Sequence, residues 1–225
     1  MFLGSNRSWS RDFGWSERFL DSVEVVEFST PEELRALLNE YPSPSWVFFA
    51  FWSNYVGKEV YSIHRSVIFH MTDLPYGRGG SPLQNLILAG HKKTKLSAIV
   101  CTETLDAGDV YLKRDLALGG TASEIYARAA GVIREMVEEI VLTNPTPEAQ
   151  KGEVVEFRRR KPEESRLPET LTAEALYDFI RMLDAEGYPR AYVTVGDLKL
   201  TFQDAELSGG RVTARVQVDF IRKEN

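Results

Sequence analysis

Residues 46–52 read Trp-Val-Phe-Phe-Ala-Phe-Trp, an unbroken apolar run between Pro44 and the polar pair Ser53 and Asn54. A strand that is covered on both faces of a parallel sheet has no side that meets water, so a continuous apolar run of strand length is typical of it. The run therefore predicts a central strand of a parallel sheet.

Strand-like and helix-like segments alternate on both sides of this run. Further strands are predicted at residues 1–5, 23–28, 67–70, 95–101 and 109–118. Helices are predicted at residues 16–23, from a cap at residues 29–33 to about residue 39, and at residues 82–90 and 121–141. This order predicts an α/β fold, a Rossmann-like and mostly parallel sheet with helices on both faces.

The helix at residues 121–141 carries the clearest helical signals. Its first residues, Thr-Ala-Ser-Glu, form a capping-box pattern in which Thr121 and Glu124 satisfy each other's backbone N–H groups. Its apolar residues recur on one face, which predicts burial of that face; they are Ile125, Ala129, Val132, Ile133, Met136 and Ile140.

Residues 144–152 are rich in proline and polar side chains and are the best candidate for a module boundary. We expect a catalytic domain at residues 1–150, followed at 151–225 by a linker, a helix and a small β-rich C-terminal appendage. The appendage is predicted to contain strands at 154–157, 191–195, 198–202 and 212–220 and a helix at 172–183, and to be mainly antiparallel.

Composition excludes several functions. A net charge of −6 and an isoelectric point near 5.3 disfavour a surface that follows a nucleic-acid backbone, so no DNA partner is expected. A single cysteine excludes an internal disulfide and a cysteine-cluster zinc site, and predicts a reducing, cytoplasmic location. No metal is predicted. No apolar stretch approaches the ~20 residues that span a bilayer, so no membrane partner is predicted.

Polar loops follow three of the predicted strands, at residues 52–55, 70–80 and 104–109. In open parallel sheets, ligands bind where loops leave the carboxyl ends of the strands. We therefore expect the three loops to converge at one edge, where His70 meets an acidic side chain of the third loop. The other two histidines, His64 and His91, are expected on the surface.

Two motifs in these loops resemble a known family. Residues 70–83 read H-M-T-D-L-P-Y-G-R-G-G-S-P-L, which resembles the folate-dependent formyltransferases. Residues 105–109, L-D-A-G-D, look like the second motif of that family, in which the first aspartate is catalytic. Residues 161–166 and 180–184 are similar to the junction and C-terminal region of methionyl-tRNA and nucleotide-sugar formyltransferases.

The resemblance implies that N10-formyltetrahydrofolate is the formyl donor. It implies that His70 donates a hydrogen bond to the oxygen on which negative charge develops, and that Asp106 relays the proton lost by the attacking amine. Backbone and side-chain groups that suit the flat pteridine of the carrier are then provided by Phe51, Trp52, Ser53, Thr104 and Leu105.

One residue departs from the family pattern Asn-x-His. Ile68 stands two positions before His70, where the family has asparagine. Asn54, at the end of the neighbouring apolar strand, is our candidate for supplying the missing amide and is predicted to be catalytic. Tyr76 and Arg78 are predicted to bind the substrate, although Arg78 is equally suited to bracing the turn.

The acceptor amine is expected to belong to a small-molecule nucleotide-linked amino sugar. The acidic net charge and the short tail favour this acceptor over transfer RNA, and a homodimer is left open. The alternatives are a methionyl-tRNA formyltransferase and, because of Ile68, a non-catalytic binding protein on the same fold.

Overall fold

The computed structural model describes residues 1–7 and 23–221, so the helix predicted at residues 16–23 lies outside the described residues apart from Val23. Eleven strands are described: β1 (Phe2–Gly4), β2 (Val26–Phe28), β3 (Val47–Phe49), β4 (Ser66–His70), β5 (Tyr76–Gly79), β6 (Lys93–Val100), β7 (Val110–Ala117), β8 (Val155–Phe157), β9 (Tyr192–Val195), β10 (Leu198–Ser208) and β11 (Arg211–Phe220). The α-helices are α1 (Pro31–Glu40), α2 (Lys58–Tyr61), α3 (Pro82–Leu88), α4 (Ala122–Thr143) and α5 (Ala173–Arg181).

The main sheet has six strands in the order β2-β1-β3-β4-β6-β7. The first four are parallel to one another, whereas β6 runs antiparallel to β4, and β7 antiparallel to β6. The apolar run at residues 46–52 contains β3, which lies between β1 and β4 as predicted. The α/β class with a mostly parallel sheet is confirmed.

Helices cover both faces of this sheet because successive strand residues point to opposite sides. In β4, Val67 and Phe69 belong to the main core, which includes residues of α3, α4 and α5. Ile68 packs against a second cluster, which contains Leu34 of α1 and Val60 of α2. His70 follows the same alternation and lies on the side of Ile68.

The long helix α4 forms as its sequence predicts. The Thr121 hydroxyl accepts from the backbone N–H of Glu124, and the Glu124 carboxylate accepts from the backbone N–H of Thr121. The predicted apolar face is buried, with Ile133 and Met136 inaccessible to solvent and Val132 half-buried.

The C-terminal strands form an antiparallel sheet in the order β11-β10-β9, as predicted. Its neighbour α5 contributes Phe179 and Ile180 to the same main core as α3 and α4. Residues on both sides of position 150 thus share one core, and the domain boundary placed there stays a prediction. In the part of the chain that the structure describes, no helix combines the length and apolar character of a membrane span.

The short helix α2, the strand β5 and a 3-10 helix at Pro162–Ser165 were not predicted. Strand β5 pairs in parallel with β8 in a separate two-stranded sheet. This pairing joins the segment after His70 to the C-terminal part of the chain.

Candidate active site

His70 and Asp106, 36 positions apart in the chain, meet in the folded molecule. The imidazole Nδ1 lies 3.4 Å from Oδ2 of Asp106, and each residue is only 8% exposed. Histidine stands at the end of β4, and the aspartate lies in the loop between β6 and β7. A buried imidazole beside a buried carboxylate is an arrangement suited to moving protons and to stabilising charge.

The route by which the two residues meet differs from the prediction. Because β6 is antiparallel to β4, the loop after β6 begins beside the start of β4, where Cys101 N donates to Ser66 O at 2.9 Å. The expectation that all three loops leave the same carboxyl edge is therefore wrong for the third. The alternation of strands and helices predicted that β6 is parallel to β4. The connection between the two strands, which contains α3, does not require that direction.

The unpredicted strand β5 contacts both His70 and Asp106 through its backbone. At one position its Gly77 carbonyl lies 2.8 Å from Nε2 of His70. Two positions later the Gly79 backbone N–H donates to Oδ2 of Asp106 at 2.8 Å. Strand β5, which the sequence did not predict, thus contacts both members of the pair.

Both ring nitrogens of His70 have partners. A carbonyl oxygen only accepts hydrogen bonds, so Nε2 must carry a hydrogen to bond Gly77. Nδ1 donates to Asp106 only when the ring carries its second proton as well. The Gly77 carbonyl also accepts from the Thr72 hydroxyl at 3.2 Å, so it keeps a partner if the imidazole turns away.

The backbone at Asp106 is strained. Its φ of 53° lies in the left-handed region, which costs a non-glycine residue roughly 1–3 kcal/mol and persists only where the surroundings fix it. Gln150 provides this fixation, because its amide nitrogen donates to the backbone oxygens of Asp106 at 2.8 Å and of Gly108 at 2.9 Å. Sequence reasoning missed Gln150, since a glutamine in a proline-rich tract belongs to no recognisable motif.

The glycine of the L-D-A-G-D motif has a packing reason. A Cβ on Gly108 would lie 1.9 Å from the backbone oxygen of Val100, so no larger residue fits the turn without moving β6. The motif glycine therefore lets the Asp106 loop lie directly against the strand before it.

Arg78 braces the turn, one of the two roles considered for it. Its guanidinium donates to the side-chain oxygen of Gln150 from Nε at 3.2 Å and from Nη2 at 2.7 Å. Tyr76 bonds His91 through its hydroxyl at 3.1 Å and packs edge-on against Phe157. His91 is thus half-buried rather than a surface residue, and so is His64. Substrate binding by Tyr76 and Arg78 stays a prediction.

The residues predicted to hold the carrier fall into two groups. Trp52 packs with Phe28 and Phe49 in the second cluster, to which Cys101 at the start of the Asp106 loop also belongs. Phe51, with a φ of 49°, instead packs edge-on against Tyr126 in the main core. The Phe51 side chain therefore points away from that of Trp52, and only the backbone of Phe51 lies beside Trp52.

The three other residues of that set are exposed. Ser53 exchanges hydrogen bonds with Asn6, at 3.1 Å from the asparagine amide to the serine hydroxyl. Thr104 and Leu105 directly precede Asp106, and the apolar side chain of Leu105 is 63% exposed. Binding of a carrier by these residues stays a prediction.

Asn54 is exposed within the loop between β3 and α2. The ring nitrogens of His70 contact Gly77 and Asp106, so the described contacts give Asn54 no hydrogen bond to the imidazole. Its catalytic role stays a prediction.

Cys101 is a titratable neighbour of Asp106. Burial, and to a smaller extent the Asp106 carboxylate, raises the pKa of its thiol far above the usual value.

A mostly parallel sheet with helices on both faces, carrying a buried imidazole at a strand end and a buried carboxylate on a nearby loop, defines an α/β protein with a site of the acid–base type. Residues 162–219 match the family described as methionyl-tRNA formyltransferase, C-terminal domain. A solved methionyl-tRNA formyltransferase from Clostridium thermocellum is 40% identical, with a TM-score of 0.92, over 97% of this chain and 98% of that one. The chain belongs to the folate-dependent formyltransferase family.

Two further relatives are less similar to this chain, one in coverage and one in sequence identity. A methionyl-tRNA formyltransferase of Bacillus subtilis is 31% identical over 138 residues, which is 58% of this chain and 43% of that protein. The match thus spans less than half the length of that curated relative. A sugar N-formyltransferase from a Shewanella species has a TM-score of 0.64 at 14% identity, covering 95% of each chain, and shows a shared fold alone.

Proposed function

We propose that this protein transfers a formyl group from N10-formyltetrahydrofolate to an amine, with His70 and Asp106 as its catalytic residues. The single observation that carries the proposal is the buried contact of 3.4 Å between Nδ1 and Oδ2 of these two residues. They are the histidine and the aspartate of the two family motifs. Membership in the folate-dependent formyltransferase family supports the same chemistry.

The residues around the pair fit a flat carrier. Leu105 presents an exposed apolar side chain directly beside Asp106, and Trp52 is half-buried in the cluster that also contains the start of that loop. Small-molecule sites combine apolar side chains with a small number of polar groups. When bound, the carrier supplies the formyl group.

His70 is the hydrogen-bond donor in this proposal. Its Nε2 exchanges the Gly77 carbonyl for the oxygen of the transferred group, and Gly77 retains the Thr72 hydroxyl as a partner. A donor that is already positioned at such an oxygen accelerates transfer by about 10²–10³-fold. Burial strengthens the effect, because water does not compete for the donor.

Asp106 is the proton relay. The attacking amine must lose a proton, and the carrier nitrogen that gives up the formyl group must gain one. The carboxylate beside His70 is placed to pass the proton from the first to the second, directly or through water. The Gly79 backbone N–H donates to Oδ2 and so fixes the direction of the carboxylate. General acid–base groups of this kind contribute about 10²–10⁴-fold.

The acceptor that the relatives favour is the amine of methionyl-tRNA. The C-terminal family match and the solved relative at 40% identity both carry that name. The sequence-based preference for a nucleotide-linked amino sugar rests on the net charge of −6, and solved sugar enzymes share only the fold. We therefore place methionyl-tRNA first and the nucleotide-linked amino sugar second.

The third alternative, a non-catalytic protein, rests on Ile68 in place of the family asparagine. The intact buried contact between His70 and Asp106 favours a working site. A cytoplasmic location, predicted from the single cysteine, remains part of the proposal.

Turnover of N10-formyltetrahydrofolate tests the proposal, with methionyl-tRNA and a panel of UDP- and dTDP-amino sugars as acceptors. We expect formyl-methionyl-tRNA from the wild type and from the control His64→Ala, and about 100-fold less from Asp106→Asn. Formylation of the sugars alone would replace the first acceptor by the second. Turnover of neither, with folate bound, would favour the non-catalytic alternative.

A further inference from the structure

Gln150 joins strand β5, which contacts His70, to the loop that carries Asp106. Its side-chain oxygen accepts two hydrogen bonds from Arg78 of β5, and its amide nitrogen donates two, to the backbone oxygens of Asp106 and Gly108. All four distances fall between 2.7 and 3.2 Å. One half-buried side chain thus connects the turn after His70 to the turn around Asp106.

The partners of Gln150 require an amide. A guanidinium only donates, and backbone carbonyls only accept, so the group between them must accept on one side and donate on the other. A carboxylate at position 150 would keep Arg78 but turn acceptors toward two carbonyl oxygens. An apolar side chain of the same length would satisfy neither side.

Gln150 is itself held in place. Two residues earlier, Glu148 pairs with Val110 at the start of β7, with N–H to O distances of 2.7 and 2.9 Å in the two directions. The clamp is therefore anchored to the main sheet.

Three consecutive residues of β5 each serve the site. The Gly77 carbonyl meets His70, the Arg78 side chain meets Gln150, and the Gly79 N–H meets the Asp106 carboxylate. A shift of Gln150 would free the Asp106 backbone from its left-handed conformation and change the distance between imidazole and carboxylate.

We propose that Gln150 is a positioning residue for the transfer, which sets the separation of His70 and Asp106 by clamping the Asp106 turn to β5. The inference rests on the proposed function. It assigns the role of the clamp to a residue outside both family motifs, and it makes Arg78 the anchor of the clamp.

Kinetics of two variants test the clamp, with Gln217→Leu on the exposed face of β11 as the matched control. We expect Gln150→Leu and Gln150→Glu to lower kcat about 100-fold, the usual cost of a displacement of about 1 Å, with KM nearly unchanged. In an Asp106→Asn background, Gln150→Leu should change kcat less than about threefold, because nothing remains to be positioned. Equal losses in both backgrounds, or a wild-type kcat for Gln150→Leu, would overturn the proposal.

A spectroscopic readout separates this inference from the proposed function. The chain has three histidines, so the ¹⁵N signals of the imidazole rings can be assigned by substitution. We expect Gln150→Leu to move the His70 signals toward those of Asp106→Asn and to leave those of His64 in place, whether or not any acceptor is turned over. Unmoved His70 signals in a variant that unfolds at the wild-type temperature would refute the clamp.

Discussion

The strands β5 and β11 differ in whether local sequence or tertiary contacts determine their extended conformation. β11 alternates apolar and polar side chains along its length, and a two-residue turn at Gly209 and Gly210, both with positive φ, joins it to β10. β5 reads Tyr-Gly-Arg-Gly, which has no alternation and a composition that disfavours strands. It is extended because β8, His70, Gln150 and Asp106 hold it.

The two strands also end differently. The apolar face of β11 leaves the core near its end, where Phe220 is 80% exposed. Every residue of β5 contacts another part of the chain, although two of its four residues lack a side chain. Local pattern therefore specifies β11, whereas tertiary contacts specify β5. Substitutions should lower the free energy of unfolding more in β5 than in β11.

The largest effect is expected for Gly79→Ala in β5. A Cβ at this position would lie 2.5 Å from the Phe157 backbone oxygen, and the φ of 98° suits glycine alone. We expect a loss of about 3 kcal/mol in the free energy of unfolding, measured with urea, together with loss of transferase activity. Wild-type stability in this variant would show that β5 does not depend on its pairing with β8.

Gly210→Ala in the turn before β11 is the matched substitution and should cost less. Its φ of 72° is also positive, but no atom lies within 4 Å of the Cβ position. Only the backbone strain remains, about 1–2 kcal/mol, and kcat should not change. A cost equal to that of Gly79→Ala would remove the distinction between the two strands.

The smallest effect is expected for Phe220→Ser at the exposed end of β11. The side chain is largely in water, so the free energy of unfolding should change by less than about 0.5 kcal/mol. Equilibrium unfolding in urea measures this change. A loss above about 2 kcal/mol would mean that Phe220 is buried in solution, in an assembly of the chain.

Much of the fold could be predicted because periodicity and capping are local signals. The capping box at Thr121, the apolar face of α4 and the Thr30 cap before Pro31 all appear as the sequence indicates. Strand β3 is shorter than its apolar run. It ends at Phe49, and two residues later Phe51 has a positive φ.

The remainder depends on contacts that no local pattern encodes. The reversed direction of β6 follows from its pairing with β4, and β5 exists through its partners. At the site, the family motifs located His70 and Asp106 but gave no indication of Gln150, because its function lies in four hydrogen bonds to residues far away in the sequence.

A double-mutant cycle tests whether His70 and Asp106, which lie in buried contact, depend on each other in the transfer. Transferase kcat should fall at least about 100-fold in His70→Ala and in Asp106→Asn, and the double variant should be no slower than the slower single variant within about fivefold. Losses that multiply in the double variant would show that the two residues act independently, and would contradict the account.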